Sequence, residues 1–117
     1  MHEASVTEAL VKLVLESAAK EGAKKVSAIN LVVGETTGYM KESLDFYFRI
    51  FSKGSILEGA ALNVDYVKAK IKCPACGLLF ERKRFSFDCP QCGAQGVMTS
   101  FGNEFYIDTI DIEREEA

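Results

Sequence analysis

Cys73-Pro74-Ala75-Cys76-Gly77 and Cys89-Pro90-Gln91-Cys92-Gly93 are two copies of one knuckle, in a C-x2-C-x12-C-x2-C array that uses every cysteine of the chain. Each C-x2-C turns two thiolates onto one cation, and the glycine that follows lets the backbone bend sharply beneath the sulfurs. Four thiolates close a tetrahedron with no open position for water or substrate. Such a site is structural rather than catalytic, and metal binding folds the lobe around it. Zn2+ is the first choice. Iron in a rubredoxin-like centre uses the same S4 donor set, and the cysteines alone leave that alternative open. Two thioredoxin-like redox motifs or two disulfides are the remaining readings, and both neglect the paired symmetry of the knuckles.

Outward from the knuckles, the flanking segments alternate as strands do. Leu62, Val64 and Tyr66 share one face of a strand predicted from Leu62 to Ile71, before a Lys68, Lys70, Lys72 alternation. On the far side, residues 104–113 alternate again, with Tyr106, Ile110 and Ile112 on one face and Phe105 and Ile107 on the other. The two segments are predicted to pair antiparallel, making the cysteine lobe an insertion in a hairpin. Nearer the start, Val6, Ala9, Leu10, Leu13, Val14 and Ala18 have the spacing of one helical face between Ser5 and Glu21. Ser5 and Glu8 read as a capping box, and Gly22 as the left-handed residue that stops the helix. A strand with two apolar faces follows from Val26 to Val33. Leu44, Tyr47, Phe48 and Phe51 mark a second helix ending near Gly54, with a turn at residues 55–59. The fold class is therefore α+β: a helix-plus-three-stranded-sheet domain at 1–72, completed by a strand at 101–113, with an inserted zinc-ribbon lobe at 73–100.

With 117 residues the chain is one compact domain with a small appended lobe, and 48% apolar and 26% charged residues are ordinary for a globular protein. Against 17 acids stand 14 Lys and Arg, a formal net charge of −3, which argues against a dedicated polyanion binder. No apolar run approaches the roughly 20 residues that span a bilayer. Met1-His2-Glu3-Ala4-Ser5 lacks the basic and apolar regions of a secretory signal, so the expected compartment is the reducing cytoplasm. Leu79, Phe80, Arg82, Lys83, Arg84, Phe85 and Phe87 mix basic and aromatic groups between the knuckles, a pattern also seen in nucleic-acid stacking surfaces. Six cations and two acids over residues 68–92 give +4, and zinc on four thiolates contributes −2, leaving the lobe near +2. The phenylalanines are then better read as a miniature core, with cations compensating anionic sulfurs.

The chain holds one histidine, His2. By position it is a solvated chain end. By chemistry it can do more: the Met1 amine, the His2 amide nitrogen and the His2 Nδ1 can close fused chelate rings on one cation, with the Glu3 amide as a fourth nitrogen. In-plane nitrogen donors favour square-planar Ni2+ or Cu2+ over tetrahedral Zn2+. Retention of Met1 is essential to this reading, and the bulk of His2 disfavours its removal.

These residues together carry a resemblance. Met1-His2-Glu3, a helix start near Ser5, the Gly34-Glu35-x-x-Gly38 turn, Glu42-Ser43-Leu44, the Gly54…Glu58-Gly59-Ala60 segment, both knuckles and Gly102-Asn103-Glu104 make the chain similar to the HypA family, over essentially its whole length. These are nickel metallochaperones of hydrogenase maturation. The resemblance implies labile nickel on His2 and the neighbouring backbone nitrogens of Met1 and Glu3, and structural zinc on Cys73, Cys76, Cys89 and Cys92. It also implies a cytosolic partner GTPase and delivery to the large subunit of a [NiFe]-hydrogenase, with urease maturation proteins as further partners for some members. The chain departs from the family pattern at Ala4-Ser5-Val6-Thr7, where a more leucine-rich start is expected, and at Tyr39-Met40-Lys41, which lacks a proline. Neither departure touches a metal donor. Other classes stand beside this one: a zinc-ribbon module binding nucleic acid or protein through Arg82, Lys83 and Arg84, and an iron-bearing electron carrier. An enzyme is not expected, because the chain has no second histidine, nucleophile elbow or P-loop. Glu8, Glu35 and Asp45 read as solvated or capping groups.

Overall fold

The computed structural model describes residues 3–81 and 86–114. Met1, His2, the Arg82, Lys83, Arg84, Phe85 stretch and the last three residues lie outside the described residues. Helix α1 (Glu3–Lys20) is followed by strand β1 (Ala23–Gly34), a single 3-10 turn (Glu35–Thr37), helix α2 (Lys41–Ser52) and strand β2 (Ala61–Val67). The lobe strands β3 (Lys70–Lys72), β4 (Leu79–Glu81) and β5 (Val97–Met98) come next, and β6 (Phe105–Arg114) closes the chain. Two three-stranded sheets result, ordered β2-β1-β6 and β4-β3-β5.

Helix α1 starts two residues before Ser5, so the expected capping box does not form and Ser5 lies within the first turn. Its buried stripe is Thr7, Leu10, Val11, Val14 and Ala18. That stripe is rotated from the predicted one: Leu13 is 55% exposed, and Thr7 takes an inside position because its hydroxyl donates to the Glu3 carbonyl at 2.6 Å. Gly22 stops the helix as expected, with φ of 68° and its N–H on the Ala19 carbonyl. Helix α2 packs against α1 and buries Leu44, Phe48 and Ser52.

The predicted hairpin is not made. β1 lies between β2 and β6, and the two flanking strands never pair with each other. Burial explains the order: Val26, Ile29, Leu31 and Val33 are fully or almost fully enclosed, so the most apolar strand takes the centre and leaves the polar ones at the edges. A side-chain ladder crosses the sheet, with the Asn63 amide donating to Asn30 Oδ1 at 2.8 Å and the Asn30 amide to Thr109 Oγ1 at 2.9 Å. The strand expected from Leu62 to Ile71 is also broken. After Val67 the chain turns at Lys68 and buried Ala69, whose N–H donates to Glu35 Oε1 at 2.9 Å instead of to a strand neighbour, and β3 joins the second sheet.

The described chain forms two compact units. One takes the chain up to Leu31, Tyr39–Asp65 and everything from Tyr106 onward; the other takes Val32–Gly38 and Tyr66–Phe105. In the first, Leu10, Val14, Ala18, Ile29, Leu31, Leu44, Leu57 and Leu62 make the core. In the second, Ile71 is fully buried and stands opposite Phe80 and Met98 in the ladder. Gly96 leaves the room for Ile71, since a Cβ there would collide with the isoleucine side chain.

Candidate metal centre

Strand β3 delivers Cys73 directly from its end, and the two knuckles then repeat one hydrogen-bond pattern. Cys73 N–H donates to the Leu78 carbonyl at 2.9 Å and Gly77 N–H to the Cys73 carbonyl at 2.8 Å; Cys89 N–H donates to the Ala94 carbonyl at 2.8 Å and Gly93 N–H to the Cys89 carbonyl at 2.9 Å. Gly77 and Gly93 take φ of 80° and 79°, which a side chain would resist. The first cysteine of each knuckle is buried and the second exposed.

All four Sγ atoms lie within 4.8 Å of one another. The close pairs run between knuckles, Cys73 to Cys92 at 3.4 Å and Cys76 to Cys89 at 3.6 Å. A tetrahedron of about 2.3 Å zinc–sulfur bonds has edges of about 3.8 Å, so this donor set fits a tetrahedral ion such as zinc. All four cysteines are free, and pairing across the knuckles is the arrangement of a cluster rather than of two separate redox motifs. Bound there, the ion would cross-link the knuckles and stabilise four thiolates.

Without the ion the thiols share their protons unequally. The Cys76 N–H, donating to Cys73 Sγ at 3.4 Å, brings the Cys73 thiol down to about 6, against the opposing effect of burial. Cys76 has the Leu78 amide in its favour, yet burial and the neighbouring cysteines outweigh it and push it up to about 12. Burial works to raise Cys89, but amides of Cys92 and Gln91 prevail and the thiol is lowered. Cys92 is aided by the Ala94 amide and is nevertheless raised, by Cys73 and by burial. Each knuckle therefore contributes one thiolate already disposed to ionise and one that a cation must help to deprotonate.

The lysine alternation beside the centre is not a free cationic stripe. Lys68 and Lys70 reach Glu81 at 3.5 and 3.2 Å, and the Lys70 hydrogen bond with the charge of Lys68 holds the Glu81 carboxyl below its usual range. The Arg82, Lys83, Arg84 run falls outside the described residues.

At the other candidate site, Met1 and His2 fall outside the described residues, and Glu3 is the first residue of α1. Its carboxylate does something the sequence reading missed. Glu3 Oε2 accepts the Met40 N–H at 2.9 Å, at the N-terminal boundary of α2, where Met40 offers no side-chain cap of its own. Asp45, paired with Lys41 at 2.8 Å, brings a second carboxylate to the start of α2.

A family model described as "Hydrogenase/urease nickel incorporation, metallochaperone, hypA" matches residues 1–112. The chain belongs to the HypA family. Hydrogenase maturation factor HypA of Caldanaerobacter subterraneus subsp. tengcongensis is 47% identical over 114 residues, covering 97% of this chain and 100% of that one. The protein of the same name from Methanocaldococcus jannaschii is 38% identical over 124 residues, covering 99% of this chain and 100% of its own. Among solved structures, the Ni metallochaperone HypA of Helicobacter pylori superposes with a TM-score of 0.64 at 26% identity, over 98% of this chain and 100% of that one. A second HypA solution structure gives a TM-score of 0.70, also at 26% identity, over 98% of each chain. This is a nickel metallochaperone family of hydrogenase and urease nickel incorporation, and the α+β fold with a cysteine-bearing lobe agrees with its solution structures. No described helix is long and apolar enough to cross a membrane.

Proposed function

We propose that this protein carries Ni2+ on its N-terminal end and yields it during maturation of [NiFe]-hydrogenase, while zinc on Cys73, Cys76, Cys89 and Cys92 holds the lobe together. The nickel donors are the Met1 amine, the His2 amide nitrogen and imidazole, and the Glu3 amide nitrogen. The observation that carries this reading is that α1 begins at Glu3. Amides in the first turn of a helix have no intrahelical acceptor, and they sit at its positive end, where an amide anion is favoured. Glu3 thus supplies a backbone nitrogen that can be given to a metal without breaking a helical hydrogen bond.

A carrier must release its cargo. Backbone nitrogens and one imidazole let go by reprotonation or ligand exchange, without unfolding the core. Four thiolates drawn together from two knuckles do not, and the two metals accordingly have separate roles. Residues 1–72, with the strand at 101–113, serve as the nickel domain and residues 73–100 as the zinc lobe. The partners in this reading are a maturation GTPase and the hydrogenase large subunit in the cytoplasm, with urease maturation proteins as a further client route. No nucleic acid or membrane takes part, and the protein itself catalyses no reaction.

The test is a nickel titration of zinc-loaded protein with a native, untagged N-terminus, beside the His2→Ala variant. The expected result is a yellow, diamagnetic, square-planar signal in the native protein alone, with zinc content and fold equal in both. Unchanged nickel affinity in His2→Ala would overturn the assignment, and a nickel signal that follows the cysteines would relocate the site.

A further inference from the structure

A cleft of about 670 Å3 runs between α2 and the start of β2, entirely within the first unit. One wall is a stripe along α2, including Lys41, Asp45 and Arg49, with Lys53 just past its end; the other is the segment from Glu58 to Asn63. Phe48 and Leu62, 4% and 5% exposed, are its apolar lining. Such a volume is that of a ligand cleft. From Lys41 to Ser52 the helix rises about 17 Å, the reach of about five residues of extended chain.

Two features point to what fits there. First, β2 is an edge strand with β1 as its sole strand neighbour among the described residues, so the outer side of its cleft segment, residues 61–63, has no strand partner among them. An edge strand facing a helix across a cleft can accept an added strand by main-chain hydrogen bonds. Second, the charges are not balanced. Asp45 is neutralised by Lys41 at 2.8 Å, and Glu58, whose Oε1 accepts the Gly54 N–H at 3.1 Å, keeps its charge, so the lining sets Lys41, Arg49 and Lys53 against Asp45 and Glu58. Arg49 and Lys53 have no anionic partner among the described residues. Lys24 and Lys25 line a smaller hollow on the other side of Glu58 and likewise lack one. In a chain of net charge −3, this is a local cationic margin around an unfilled strand position.

We propose that the cleft takes an extended, acidic segment of a partner protein, which adds to the free edge of β2 and sets its carboxylates against Arg49 and Lys53. The backbone of β2 supplies register and affinity, and the two cations select the charge of the incoming strand. Neither cation is among the proposed nickel and zinc donors.

The test uses zinc-loaded, nitrogen-15-labelled full chain and two acetylated, amidated peptides of about eight residues, one alternating valine with glutamate and one valine with lysine. The acidic peptide is expected to give saturable amide shifts confined to β2 and the cleft side of α2, and the basic peptide none. The Arg49→Glu, Lys53→Glu double variant, with unchanged zinc content and nickel titration, is expected to bind the acidic peptide at least about tenfold more weakly and to accept the basic one. Absence of saturable shifts, shifts centred on another surface, or equal binding of the two peptides would each overturn the proposal.

Discussion

Glu3 connects the starts of both helices. Its backbone opens α1 while its carboxylate accepts the Met40 N–H at the start of α2, so the residue proposed to give nickel a nitrogen is tethered by its own side chain. Glu3→Ala is expected to weaken nickel binding by about threefold to tenfold, the loss of one hydrogen bond's worth of order. Glu3→Gln keeps an oxygen acceptor for Met40 and is expected to stay near the native affinity. Competition with a chelator checks both; equal loss in the two variants would mean that the negative charge, not the hydrogen bond, matters. The sequence pointed to the Glu3 amide but not to this side-chain contact, because the partner is 37 residues away and a carboxylate at a chain end has no local signature. The cysteines are the opposite case, since spacing alone names all four. What spacing does not say is how they divide their protons. Cys76 at about 12 and the raised Cys92 remain protonated at neutral pH, so zinc must displace their protons. Zinc affinity is therefore expected to rise with pH by at least about two decades per pH unit near neutrality, one for each of these two protons, and to fall more steeply below about 6, where Cys73 also takes up a proton. A competitive zinc titration across that range measures the slope; a pH-independent affinity would contradict it.

At the scale of elements, periodicity found both helices and failed on their exact faces. Leu13 fits the predicted stripe of α1 and is exposed, whereas Thr7 and Val11 are buried. A helical wheel ranks side chains by polarity, and a threonine that bonds its own backbone is polar by type yet apolar in effect. The same limit explains the strand from Leu62 to Ile71. Its alternation continues through Lys68 and Ala69, but Glu35 captures the Ala69 N–H and the chain passes to another sheet. A local pattern carries no information about an acceptor 34 residues earlier. Gly34 and Gly102 show a further long-range constraint: a Cβ on Gly34 would collide with the Gly102 carbonyl, and Gly102, at φ 102°, leaves no room before Ala69. Both glycines stood in the recognised motifs, but their mutual approach is a property of the folded chain.

For the whole molecule, the two units have cores of different kinds. Leu10, Val14, Ala18, Leu44 and Phe48 enclose one another without any cysteine, whereas the small sheet of β3, β4 and β5 has Ile71 as its single fully buried aliphatic side chain among the described residues. Removal of zinc by a strong chelator is thus expected to collapse the amide dispersion of β3 to β5 and to leave most of the helical circular-dichroism signal from α1 and α2. Equal loss of both signals would show that the metal supports the entire chain. The sequence by itself determined the four-cysteine cluster and the types of the main elements, because ligand spacing, glycine positions and hydrophobic periods are local and survive in a linear string. Only the tertiary structure decided that β1 is central, that Val32–Gly38 belong with Tyr66–Phe105 in one compact unit, and that Arg49 and Lys53 line one cleft with the start of β2. Those outcomes depend on which distant segments exclude water from one another most completely, and that competition is settled only when the whole chain packs.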